Sequence, residues 1–190
     1  MENGKTFPSH SVTEFILQKL GEDSQDTLAF FRDSDERQGH QIYSQLKYHH
    51  IQGNRDEMSK LIKEAEKTKY FESGVNLQFL LFCKTEVDKT LSLEDRLGKL
   101  LEALRLTEKN FIPEEIGKSV YAYSEIIVIA GIADAYHRMK DYEKAVQIMY
   151  GLKESLDVGY INDWEKARVY PAVLFNLSVY LGALERNDEM

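Results

Sequence analysis

The stretch Ala130 to Met149 constrains this chain more than any other. It reads as one helix, a tight turn at Lys140-Asp141, and a second helix running back against the first. Small residues at Ala133 and Ala145 stand where two crossing helices need close approach. Tyr136 and Tyr142 bracket the turn, and Ile132, Val146 and Met149 supply apolar faces. A single helical hairpin of this kind cannot bury its own apolar face, so further copies must stack against it.

A second copy is present. Setting Gly53 against Lys140 aligns Leu46 with Ala133, His49 with Tyr136, Met58 with Ala145 and Ile62 with Met149. A third begins near the end, where Leu177–Leu181 aligns with Ile132–Tyr136 and Asn187 with Tyr142, and the sequence stops at Met190, where its second helix is due. The spacing is that of a tetratricopeptide repeat. The fold expected is therefore all-α, a tetratricopeptide-like right-handed superhelix of antiparallel helix pairs. It occupies residues 35–190 with its last repeat incomplete. Residues 1–34 form a tail with short capping elements. Either the sequence is part of a longer chain, or a second copy of itself covers the open final face.

Between the two clearest copies the helical period continues. After the polar, turn-like residues up to Pro8, Ser11 and Glu14 suggest a capping box opening a short helix that Gly21 ends. Asp26–Phe31 reads as a second short turn or helix, a lid on the first repeat. Tyr70–Val87 reads as one long helix, Ser92 as a cap, and the leucine-rich run from Leu93 to Leu106 as a buried helix. Lys118–Arg138 is helix-compatible throughout. Its run Ile126–Ile129 is β-branched and favours strand by propensity alone, but its flanks keep helical spacing, so a helix at the centre of the stack is expected. Tyr142–Leu156 pairs back, Gly159 ends that helix, and Asn162 or Asp163 caps the last one. Pro171 should kink or break it.

Composition narrows the function. A net charge of -8 argues against this chain gripping nucleic acid through phosphates. The lone Cys83 permits no internal disulfide, which suits a reducing cytoplasm and reads as a small buried hydrophobe. No apolar run approaches the ~18 residues of a membrane span, and no signal-peptide core opens the chain. No cofactor, metal or catalytic residue is expected. His49 and His50 are adjacent and diverge on a helix, His137 with Asp134 and Asp141 is an ordinary surface grouping, and the acidic pairs Glu94-Asp95 and Glu114-Glu115 sit at helix starts, where the exposed N–H groups favour them.

Four blocks, Ser119–Ile129, Ala133–Arg138, Asp141–Ala145 and Glu165–Ser178, resemble the C-terminal repeats of the Firmicutes-type transcriptional regulators in which an Xre-like helix-turn-helix precedes tetratricopeptide-like repeats. The resemblance runs from about Val12 to the end, most specifically from Glu125 to Asn176. It implies a ligand-sensing and dimerisation region, non-catalytic, with a groove for a peptide or small molecule and DNA contacted only through a domain not in this sequence. A homodimer is implied. Relatives hold peptide backbone with asparagine amides, which both donate and accept. Asn176 matches such a position, whereas Ala130-Gly131 replaces an asparagine pair. The groove residues expected are Tyr43, Lys47, His50, Tyr121, Glu125, Asp134, His137, Arg138 and Asn176. Glu125 alternatively serves a buried ion pair with Lys118 or Arg168. The alternative function is a freestanding protein–protein interaction adaptor.

Overall fold

The computed structural model describes residues 10–20, 34–159 and 163–189. The tail before residue 10, the segment Asp26–Phe31 and Asn162 lie outside them. Among the described residues the chain is all helix, with no strand. The α-helices are α1 (His10–Lys19), α2 (Ser34–Ile51), α3 (Arg55–Ala65), α4 (Gly74–Val87), α5 (Leu93–Arg105), α6 (Tyr123–Arg138), α7 (Tyr142–Val158) and α8 (Asp163–Ala183). Each of α2 to α7 packs on the helix that follows it, and α4 on α6 and α6 on α8 also touch. The even-numbered helices therefore form one layer and α3, α5 and α7 the other. That is the arrangement of a generic stack of helical hairpins.

Sequence explains the turns atom by atom. Gly53 (φ 67°), Lys140 (φ 67°) and Glu185 (φ 58°), which the repeat alignment makes equivalent, all adopt the left-handed conformation. The residue after each closes the turn with the same backbone bond: Asn54 N to His49 O and Asp141 N to Tyr136 O at 2.9 Å, and Arg186 N to Leu181 O at 3.1 Å. Asn54 and Asp141 then cap the returning helices, accepting from Glu57 N at 3.3 Å and Lys144 N at 3.4 Å. Only the first turn uses the residue type that adopts this conformation without steric cost.

The aligned core positions are all buried: Leu46, Ala133, Ala145 and Met149 are wholly enclosed, and Met58 and Ile62 nearly so. The β-branched run Ile126–Ile129 is helical and buried in α6, because tertiary packing outweighs a weak local propensity. The leucine-rich α5 places Leu100 and Leu104 in the core, with Ser92 capping it through Asp95 N at 3.0 Å. Cys83 is buried.

Four boundaries differ from expectation. Helix α1 begins at His10, so Ser11 falls within its first turn instead of capping it. Tyr70–Val87 is broken: a 3-10 turn at Lys69–Phe71 precedes α4, and Gly74 at φ 60° redirects the chain between them. The break lets Tyr70 press on Gly39 of α2, where any Cβ would lie 2.2 Å from the tyrosine. Lys118–Arg138 is not one helix. A 3-10 turn at Pro113–Lys118 leads through extended residues to α6 at Tyr123, pinned by Ser155 Oγ donating to Ser119 O at 2.7 Å. Pro171 lies inside α8 without breaking it.

Candidate functional site

A cavity of about 440 Å³ opens on the even-numbered layer, walled by α2, α4, α6 and α8. Its volume falls within the range of small-ligand sites. Phe82 of α4, Ile126 and Ile127 of α6, and Val169 and Val173 of α8 make the apolar floor. Along α6, Ile127, Ala130, Gly131, Asp134 and Arg138 follow helical spacing, so one face of that helix runs the length of the cavity. Small side chains at Ala130, Gly131 and Ala172 keep the space open. At Gly131 the approach is close: a Cβ would stand 3.3 Å from Phe82 and 3.4 Å from Leu100.

Charge is arranged around the rim. Arg138 Nε pairs with Asp134 Oδ2 at 2.8 Å, one turn apart on α6. Glu86 of α4 is held by Arg96 of α5, a nearly buried guanidinium that also donates to Thr85 O at 3.1 Å. Burial pushes the Glu86 carboxyl above its ordinary range; Arg96 pulls it back, and Asp134 across the cavity raises it further. His50 lies edge-on to Phe82 at 5.0 Å, and burial lowers its value, keeping the imidazole neutral at pH 7. On α8, Arg168 and Asn176 lie two turns apart on one face, and no ion pair or hydrogen bond among the described side chains involves either. The site thus offers one cation and one amide to an occupant over an apolar floor.

Four of the residues singled out from sequence line this cavity: His50, Asp134, Arg138 and Asn176. The others do not. Tyr43 packs on Phe79 at 4.4 Å, and the Lys47 ammonium sits 3.8 Å over the ring of Tyr123; Tyr123 rather than Lys47 reaches the wall. His137 stacks on Tyr180 at 4.4 Å, toward the α8 contact. Tyr121 precedes α6 and is buried in the core. Glu125 is wholly buried and ion-paired, but with Lys19 of α1 at 2.7 Å, not with Lys118 or Arg168; Lys118 pairs with Glu115. Sequence reasoning missed Glu86 and Arg168. A signal existed for Arg168, which lies eight residues before Asn176 on the same helical face; Glu86, the one acid of α4, follows a lysine and a threonine and reads as an ordinary surface charge.

No described group of three His, Cys, Asp or Glu side chains is placed to hold a metal ion, and no described helix is long and apolar enough to cross a membrane. Comparisons with protein-family models, with curated proteins and with solved structures find no match.

Proposed function

We propose that this chain is the non-catalytic, ligand-sensing and dimerisation region of a bacterial transcriptional regulator, a tetratricopeptide-like superhelix whose groove takes a short peptide or small molecule. The observation that carries the sensing role is the cavity, with its apolar floor and with Arg168 and Asn176 left for an occupant. An extended peptide suits it: an apolar side chain fills the floor, the Asn176 amide meets backbone groups, and Arg168 takes a carboxylate. The three equivalent left-handed turns support the repeat reading. DNA would be contacted only through a further domain.

Dimerisation is supported by α8, which turns Leu174 (39% exposed), Phe175 (67%) and Val179 (43%) to the outside. An exposed apolar row of this kind marks an association surface. The same row favours the second reading, a freestanding adaptor whose partner is a different protein.

The sensing role is tested by thermal-shift titration of the chain with a pool of short peptides and free amino acids, then with Ala130→Trp, which fills the cavity. Stabilisation that the tryptophan removes is expected. A hit that Ala130→Trp leaves intact refutes the site. Sedimentation on dilution, with Phe175→Glu as the control, tests the dimer; a monomer at all concentrations leaves the adaptor.

A further inference from the structure

Glu125 stands at the first turn of α6, wholly buried, and faces away from the cavity. Its Oε2 accepts the Ala122 N–H at 2.8 Å and the Lys19 ammonium at 2.7 Å. That ammonium also donates to the Val120 carbonyl and lies 5.3 Å from the ring centroids of both Tyr121 and Phe15. The carboxylate, the carbonyl and the tyrosine ring all belong to residues 120–125, so the receptor is built without α1. Helix α1 brings the ammonium and Phe15. It rests on α4 and exposes Val12 (46%), Ile16 (47%) and Leu20 (63%), a seat that buries little of its apolar side. The second oxygen, Glu125 Oε1, is enclosed and has no hydrogen-bond partner among the described residues.

We propose that Glu125, the Val120 carbonyl and Tyr121 form a binding site for a primary ammonium group, filled in cis by Lys19 and open to an ammonium from a peptide partner, which displaces α1. An enclosed carboxylate needs a counter-charge, so the exchange is one cation for another. A primary ammonium has three N–H donors, and the site has three acceptors in Oε2, Oε1 and the Val120 oxygen. Lys19, its reach set by α1, leaves Oε1 unmet. An untethered ammonium can satisfy all three and keep the contact with the Tyr121 ring. The tether gives Lys19 a high effective concentration, so free amines compete only when abundant, and a peptide competes by adding contacts on the α4 surface beneath α1.

The test uses the whole chain and three probes at matched ionic strength: Nα-acetyl-lysine amide, which offers only a side-chain ammonium; alaninamide, which offers only an amino terminus; and tetramethylammonium, which has no N–H. In Lys19→Ala the α1 amides should exchange about tenfold faster than in the parent. One or both primary amines should raise its melting temperature saturably, the stronger naming the source, while tetramethylammonium does not. Glu125→Gln in the same background should abolish the rescue. In the parent chain the active amine should accelerate α1 exchange. Equal effects from all three salts in Lys19→Ala, or α1 exchange in the parent chain that the amines leave unchanged, overturn the proposal; the second measurement needs no variant to fold.

Discussion

Replacing Arg96 by methionine isolates the charge that supports the cavity from behind. Methionine keeps much of the apolar stem but removes the guanidinium, and with it the bonds to Glu86 and to Thr85 O. Removing one partner of a buried pair typically costs ~3–5 kcal/mol, because the other charge is left uncompensated. Here the Glu86 side chain keeps 17% of its surface exposed, so water reaches it through the cavity, and the low end, about 3 kcal/mol, is expected near pH 8. The sign with pH follows from the raised carboxyl. A raised acid binds its proton more tightly folded than unfolded, so its contribution to stability falls as pH climbs from the ordinary carboxylate range through the folded value. Loss of Arg96 moves the folded value higher still. The penalty is therefore small in acid, where Glu86 is protonated in both states, and grows toward neutrality. Urea unfolding followed by circular dichroism from pH 5 to 8 measures it, with Arg96→Met/Glu86→Gln as the partner variant that should recover most of the loss and its pH dependence. A loss below about 1 kcal/mol at pH 8, or an equal loss at pH 5, refutes the reasoning.

Three further outcomes are expected. Lys140→Gly relieves a left-handed, exposed side chain and should gain ~0.5–1 kcal/mol, roughly 1–4 °C in Tm, by thermal melting; a loss would mean that the turn is held by the lysine itself. Cys83, whose thiol burial pushes far above its ordinary range, should resist a thiol reagent in the folded chain and react fully in denaturant; fast native reaction would mean that α4 opens locally. Leu104→Ala, at a wholly enclosed position, should cost about 3 kcal/mol in urea unfolding, and a cost under ~1 kcal/mol would place α5 outside the cooperative core.

The hairpin stack was legible because its turns and faces are local. Gly53 and Lys140 could be aligned from spacing alone, and they share one backbone conformation. The false continuities, at Ser73-Gly74 and at Ser119–Ala122, were not legible for a common reason. At Ser119–Ala122 the residues themselves tolerate helix and what stops them is the distant bond from Ser155 to Ser119; at Ser73-Gly74 the left-handed glycine is local, but the packing of Tyr70 on Gly39 that calls for it is distant. Site residues divided similarly. Asp134, Arg138 and Asn176 follow from counting along a helix already located. Lys47 and His137 fell on a suitable face, but aromatic neighbours from other helices took them up. Glu86 and Arg96 required knowing that α4 enters the cavity layer and that α5 backs it.

The walls of the cavity come from helices in four successive positions of one layer, so its width is set by the angles between hairpins and not by any loop. In a stack where each unit touches only its neighbours, those angles are also what gives the whole rod its pitch. The first and the last helix of that layer, α2 and α8, both belong to the wall. A ligand in this cavity would therefore touch every helix of the layer at once.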